Sequence, residues 1–139
     1  MNIDSIHNGI VIDHIAAGRG MQLYHLLQLD KLDCSVAIIK NVNSRKMGKK
    51  DIIKVDGTVD IDIDAIGYVD PKATVNIIRD EKLVEKRDIV LPERLVNVVR
   101  CKNPRCISST EQELDQVFVL KDRDKGIYRC LYCEAQAGK

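Results

Sequence analysis

The spacing of apolar and polar residues changes several times along the first 90 residues. The run from Gly9 to Ile15 is β-branched and almost continuously apolar, as expected of a strand covered on both faces. Leu23, Leu26 and Leu27 then recur at helical spacing. The pattern predicts, in order, a strand over 9–15, a helix over 21–29, a strand over 36–39, a turn over 41–48, a strand over 51–55, a short helix over 60–68 ended by Gly67, a strand over 73–79, a tight turn at 80–81 and an extended segment over 82–86.

This order of elements, β-α-β-β-α-β with one extra strand, is the split βαβ arrangement. We therefore predict an α+β fold, in which a ferredoxin-like antiparallel sheet with two helices on one face is followed by a small all-β, zinc-ribbon-like domain. The run Leu91-Pro92-Glu93-Arg94 indicates the boundary between these two domains. The predicted domains cover residues 1–95 and 96–139.

Four cysteines near the end of the chain have the spacing of a metal site. Cys101 and Cys106 form a C-x4-C pair, and Cys130 and Cys133 form a C-x2-C pair after an interval of 23 residues. Strands over 117–120 and 126–129 would form a hairpin that brings the second pair to the first. Four thiolates leave no open position on the ion, so the pattern predicts one structural zinc per chain.

Two other interpretations of these cysteines are disulfide bonds and a redox Cys-x-x-Cys motif. Disulfides need an oxidising compartment, whereas 1–5 lacks the basic and apolar regions of a secretory signal, so we expect a cytoplasmic protein. A redox motif would lie at a strand-to-helix turn, but Cys133 is six residues from the end. Both alternatives are less favoured than zinc, and Cys34 is interpreted as a half-buried thiol.

Composition and charge narrow the classes of partner. The 139 residues are 45% hydrophobic and 31% charged, with a formal net charge of +1. Basic and acidic residues number 14 and 15 before Val98, and 8 and 6 from it onward. No apolar run approaches the roughly 18 residues of a membrane span. With one Phe, four Tyr and no Trp as well, we expect neither a nucleic acid nor a membrane as partner.

The strand over 51–55 carries polar residues that suggest a ligand. A period of two places Lys50, Ile52 and Lys54 on one face, and Ile53 and Val55 on the core face. Two ammonium groups around an apolar side chain suit an anionic ligand with a flat body, such as a nucleotide. Lysines that protect an edge strand against aggregation are the competing interpretation.

Asp13 and His14 interrupt an otherwise apolar strand. A carboxylate can accept hydrogen bonds from ribose hydroxyls, and an imidazole can meet phosphate. A mutually satisfied pair at the strand end is the alternative. Strand alternation places the two side chains on opposite faces, so a shared site requires the strand to end or twist there. No phosphate-binding glycine motif and no nucleophile–base set is recognisable, so we predict no catalytic residue.

These motifs together resemble the regulatory chain of aspartate carbamoyltransferase, over essentially the whole chain. The resemblance implies a non-catalytic subunit of pyrimidine biosynthesis whose N-terminal domain forms a homodimer and binds nucleotide effectors. The zinc domain would dock on the catalytic chain, cytidine and uridine triphosphates would inhibit, and adenosine triphosphate would activate. The resemblance is carried by 9–15, 47–54, 73–76, 91–94 and the four cysteines.

The resemblance also implies roles for individual residues. Asp13 and Lys54 would hold the ribose, and His14 and Lys86 the phosphates. Glu81 departs from the family, in which an aromatic residue can occupy that place. Ile6 and Val11 would border the nucleotide, Lys50, Ile52, Asn76, Ile78 and Leu83 would line the same pocket, and Cys101, Cys106, Cys130 and Cys133 would bind zinc.

Two alternatives from other functional classes are a zinc-ribbon module that binds nucleic acid and a free-standing enzyme. The first would need a basic face, which the near-neutral balance of the C-terminal segment argues against. The second would need an active-site set, and the serine-threonine-arginine motif that binds carbamoyl phosphate in the catalytic family is absent.

Overall fold

A computed structural model describes residues 6–138 of the chain. They form two compact units, the first ending at Val90 and the second beginning at Leu91. No helix among the described residues is long and apolar enough to cross a membrane.

The first unit is a five-stranded antiparallel sheet with strand order β2-β3-β1-β4-β5. The predicted α+β fold is confirmed, with β5 as the extra strand beside β4. Its elements are β1 (Gly9–Ala16), α1 (Gly20–Leu26), a 3-10 turn (Leu29–Lys31), β2 (Ser35–Ser44), β3 (Gly48–Asp56), α2 (Ile63–Val69), β4 (Thr74–Arg79) and β5 (Lys82–Asp88).

One face of this sheet forms the core with the two helices. Ile12 and Ile53 on the central strands are fully buried, as are Leu23 of α1 and Ile66 of α2. Burying one such side chain contributes about 1.5–3 kcal/mol to folding. Because side chains alternate along a strand, this packing leaves the intervening residues on the opposite face, which we call the outer face.

The two helices differ in extent from the sequence prediction. Helix α1 ends at Leu26, and Gln28 then adopts a left-handed conformation with φ of 55°. Helix α2 begins after Asp62, whose carboxylate accepts hydrogen bonds from two N–H groups of the first turn. Gly67 lies buried inside α2 rather than ending it.

Strands β2 and β3 extend through most of the stretch predicted as a turn. Their pairing continues to Ser44 and Gly48, so only residues 45–47 connect them. The register shifts between Ile39 and Val42, where Asn41 has φ of 59°. This bulge lets the polar segment continue as strand.

The second unit is a three-stranded antiparallel sheet, β6-β7-β8, around a small core of Leu95, Phe118 and Tyr128. One helical turn, α3, interrupts the predicted all-β character between the cysteine pairs. Strand β6 pairs with β7 and therefore belongs to the second unit. The division at Val90 thus comes earlier in the chain than the predicted boundary at 95/96. Its elements are β6 (Arg94–Val96), α3 (Ile107–Thr110), β7 (Val117–Asp122) and β8 (Ile127–Cys130).

Candidate functional site

The second unit gathers the four C-terminal cysteines around one point. Their Sγ atoms lie within 4.8 Å of one another, with 3.5 Å between Cys101 and Cys133 and 3.7 Å between Cys106 and Cys130. Bonds of 2.3 Å from zinc to sulfur would separate the sulfurs of a tetrahedral site by about 3.8 Å. A disulfide would need about 2.05 Å, and all four thiols are free. The separations therefore fit four thiolates around one metal ion.

Hydrogen bonds around the cluster hold the first cysteine pair in place. The Cys101 N–H donates to Gln116 Oε1 at 2.9 Å, and Gln116 Nε2 donates to the Ser108 carbonyl at 2.6 Å. The Ser108 hydroxyl lies 3.0 Å from Cys106 Sγ. Sequence reasoning missed Ser108 and Gln116, since neither position follows from the cysteine spacing.

The pKa values of two thiols are shifted in opposite directions. The hydrogen bond from Ser108 lowers the pKa of Cys106 to about 6. Burial raises the pKa of Cys101 to about 12. A divalent cation among the sulfurs would favour the thiolate form of all four.

On the first unit, cross-strand register aligns four predicted site residues in a row. Lys54 of β3 lies opposite Val11 of β1, which lies opposite Asn76 of β4, which in turn lies opposite Lys86 of β5. Residues directly opposite one another in a sheet share a face. Adjacent strands are about 4.8 Å apart, so the backbones of the two lysines are separated by about 14 Å. A lysine side chain therefore lies on each side of the shorter side chains of Val11 and Asn76.

A bulge in β1 places Asp13 and His14 together on the outer face. Ile12 pairs with Ile53 and Ile15 pairs with Asp51, so Asp13 and His14 both lie opposite one residue of β3, Ile52. Ile12 and Ile15 are both fully buried, which leaves the two polar residues between them facing away from the core. His14 has φ of 58°, in the left-handed region. The twist that a shared site requires is therefore present.

The bulge is held by polar contacts on both sides. Lys50 Nζ lies 3.0 Å from Asp13 Oδ1, which also accepts the His14 N–H at 2.6 Å. Burial raises the pKa of Asp13, but the hydrogen bonds from Lys50 and from the His14 N–H outweigh it and leave the pKa below its ordinary value. His14 Nδ1 lies 3.0 Å from Thr74 Oγ1, and its other ring nitrogen has no hydrogen-bond partner among residues 6–138. Sequence reasoning missed Thr74, although it lies within a motif that carried the resemblance.

Asn76 has an unsatisfied polar atom at the middle of the row. Its Oδ1 is buried and has no hydrogen-bond partner within residues 6–138. Such atoms are uncommon because an unpaired buried acceptor costs about 1–3 kcal/mol. A bound donor would remove that cost, so this atom is a candidate binding position.

The remaining predicted residues lie around this row. Ile78 of β4 is opposite both Gly9 and Leu83, and Leu83 is exposed. Ile6 is buried just before β1. Glu81 lies in the β4–β5 turn, where its carboxylate is 2.7 Å from His7 Nδ1. Its side chain is therefore engaged with the segment that leads into β1.

Comparisons with known proteins agree with this geometry in both units. The chain matches the family described as "Aspartate carbamoyltransferase regulatory chain, allosteric domain" over residues 1–90. Residues 93–139 match the corresponding metal binding domain.

Full-length relatives carry the same description. An "Aspartate carbamoyltransferase regulatory chain" of Clostridium tetani is 49% identical over 135 residues, which are 96% of this chain and 94% of the relative. Those of Clostridium botulinum (strain Hall) and Bifidobacterium longum are 46% and 42% identical, over 96% and 99% of this chain and 92% and 99% of theirs. Since both units and nearly the whole length match, the chain belongs to the family of aspartate carbamoyltransferase regulatory chains, the non-catalytic subunits of that enzyme.

Proposed function

We propose that this chain senses nucleotides for a cytoplasmic aspartate carbamoyltransferase complex of pyrimidine biosynthesis. The first unit binds a nucleotide effector on the outer face of its sheet, and the second unit, built around zinc, docks on the catalytic chain. The observation that carries the proposal is the β1 bulge, because it brings Asp13 and His14 to the face on which Lys54 and Lys86 are aligned.

The charges on this face match the parts of a nucleoside triphosphate. Lys86 and His14 supply positive charge and N–H donors for the phosphates, as the family resemblance assigns them. Asp13 stays ionised because its pKa is lowered, so it accepts hydrogen bonds from ribose hydroxyls beside Lys54. Val11 and Ile52 supply apolar surface between these groups.

The Asn76 amide supports recognition of the base. Its unpaired Oδ1 is an acceptor, and the exocyclic amino groups of cytosine and adenine are donors. Both bases can therefore satisfy the same atom. We propose cytidine triphosphate, together with uridine triphosphate, as inhibitor and adenosine triphosphate as activator.

Regulation then follows from linkage between binding and quaternary state. An effector changes activity at a distance only if it binds one state of the complex more tightly than the other. If an effector binds one state tenfold more tightly, it shifts the equilibrium between the two states by about 1.4 kcal/mol and by no more. The change is transmitted through the segment from Leu91 to Val99, with which the second unit begins.

We propose zinc as the metal, one ion per chain, because four thiolates with these separations suit a closed tetrahedral site. Its role is structural, since no ligand position remains for a substrate. Loss of zinc unfolds the docking unit and releases the catalytic chains.

We further propose that two copies of the chain associate through the first domain. Strand β2 is a ten-residue edge strand of the sheet, and an edge presents backbone groups that can pair with another chain. Two docking units on one dimer then bridge separate assemblies of catalytic chains.

The test is to mix the full chain with its cognate catalytic chain and separate the species by size-exclusion chromatography, with zinc and after chelation. Carbamoyltransferase activity is assayed with and without each nucleotide. A large complex that needs zinc and responds to nucleotide is expected. Failure to associate with zinc bound contradicts docking, and an associated complex that is insensitive to all three nucleotides contradicts sensing. Salt-sensitive binding of mixed oligonucleotides instead would favour a nucleic-acid-binding module.

A further inference from the structure

Asp51 is a buried carboxylate behind the proposed nucleotide site. It lies in β3 between Lys50 and Ile52, both residues of the outer face, but its own side chain points to the core face and is fully buried. A polar group in such a place must be compensated by hydrogen bonds. The hydrogen-bond donors to Asp51 therefore show which segments of the chain its carboxylate fixes in place.

Three backbone N–H groups from two separate segments donate to Asp51. Gly18, between β1 and α1, and Gly20, the first residue of α1, donate to Oδ2 at 3.1 and 2.9 Å. Asn41 of β2 donates to Oδ1 at 3.0 Å. One carboxylate thus connects β2 to the start of α1 and the segment before it.

Asp51 lies at the level of the bulges in β1 and β2, and its contact with Asn41 is within the second of them. The bulge of β1 is opposite Ile52 and closes where Ile15 pairs with Asp51. The bulge of β2, between Ile39 and Val42, is opposite Asp51 itself and includes Asn41. A bulge leaves backbone groups outside the ladder, and Asp51 accepts one of them. Its carboxylate therefore supports the bulge of β2 on one side and the segment that follows β1 on the other.

We propose that Asp51 is a positioning residue for effector binding: by fixing the β2 bulge and the segment that follows β1 from the core side, it sets the geometry of Lys50, Asp13 and His14 on the outer face. This inference rests on the proposed nucleotide site. Asp51 touches no ligand and acts only through the backbone. On the outer face, the 3.0 Å contact between Lys50 Nζ and Asp13 Oδ1 connects β3 to the β1 bulge.

Only a carboxylate satisfies all three donors. In Asp51→Asn the amide presents an N–H₂ group to at least one N–H that now donates to oxygen, so at least one contact becomes donor against donor. Gly20→Ala disturbs the same group from the opposite side. A Cβ on Gly20 would lie 2.8 Å from Asp51 Oδ2 and 3.0 Å from its Cβ, so the carboxylate must move.

The experiment measures nucleotide affinity separately from stability. Isothermal titration of the zinc-loaded full chain with cytidine and adenosine triphosphates is carried out well below each variant's melting temperature. Ile53→Val is the matched control, since Ile53 is a fully buried neighbour on the same strand and core face without polar contacts. We expect Asp51→Asn and Gly20→Ala to raise the Kd for nucleotide about tenfold. This is the effect expected if the displaced outer-face residues lose roughly one charged hydrogen bond to the nucleotide. Ile53→Val should lower the melting temperature while leaving Kd within about twofold.

A purely structural role would make affinity follow stability, so equal Kd shifts in all three variants at equal folded fraction overturn the proposal. Unchanged Kd in both Asp51→Asn and Gly20→Ala also overturns it. If either variant does not fold, amide hydrogen exchange of the unaltered chain decides. Nucleotide should increase protection at Gly18, Gly20 and Asn41, and its failure to do so refutes the inference. An unaltered chain that binds neither nucleotide refutes the proposed function itself, which is a distinguishable outcome.

Discussion

Replacing Cys130 by serine tests how far the second unit depends on its metal. The largest fully buried side chains of this unit are Leu95, Phe118 and Tyr128, and at about 2 kcal/mol each they contribute roughly 6 kcal/mol. A structural zinc contributes about 10–16 kcal/mol, comparable to the whole stability of a typical domain. Removing one buried ligand should therefore unfold this unit.

The assay combines zinc content by mass spectrometry with a nitrogen–proton correlation spectrum of the full chain. In Cys130→Ser we expect bound zinc to fall well below one per chain and the signals of the second unit to lose dispersion, while those of the first unit persist. Cys34→Ser is the control, because Cys34 lies in the first unit, away from the cluster. A Cys130→Ser chain that keeps one zinc and a dispersed second unit would refute this reasoning.

Three further changes test the outer face. Lys54→Ala should weaken triphosphate binding about 10- to 100-fold in titration calorimetry, whereas Lys31→Ala on the exposed 3-10 turn should not; equal affinities would count against the site. The lowered pKa of Asp13 means that its pairing with Lys50 stabilises the fold above its ordinary value of 3.8 and is lost as the pH falls through the lower folded value. In urea titrations Asp13→Asn should therefore cost up to about 1 kcal/mol at pH 7 and progressively less in acid; a pH-independent difference would contradict this. Asn76→Leu should stabilise the free chain by about 1 kcal/mol in the same titrations while abolishing nucleotide binding, and a loss of stability would contradict the unpaired state of its Oδ1.

Periodicity was sufficient for the order of elements because most positions obey it. Ile53 and Val55 are buried as a period of two requires, and Lys50, Ile52 and Lys54 alternate with them. The cysteine spacing likewise predicted a cluster whose geometry needs only one hairpin. Patterns of this kind reflect local chain geometry, so they can be read from the sequence.

The bulges could not be predicted in this way. The left-handed conformation of His14 is accompanied by its contact with Thr74, 60 residues away, and the bulge at Asn41 by its contact with Asp51. Gly67 was wrongly expected to end α2, which continues to Val69, and the N-cap residue Asp62 was not recognised. A signal for Asp51 was present, since the same period of two places it on the core face with Ile53. A carboxylate at a core position predicts buried N–H partners.

The turn between β4 and β5 has a consequence for the order of folding. Asp80 and Glu81 both adopt positive φ, 51° and 66°, where glycine or asparagine would be less strained. The backbone N–H of Asp80 donates to the Asn8 side chain, and that of Glu81 to the His7 carbonyl. A hairpin whose turn depends on residues more than 70 positions earlier is a poor local nucleus. It should form only after β1 is in place, so mutations in β5 are expected to speed unfolding while leaving the folding rate almost unchanged.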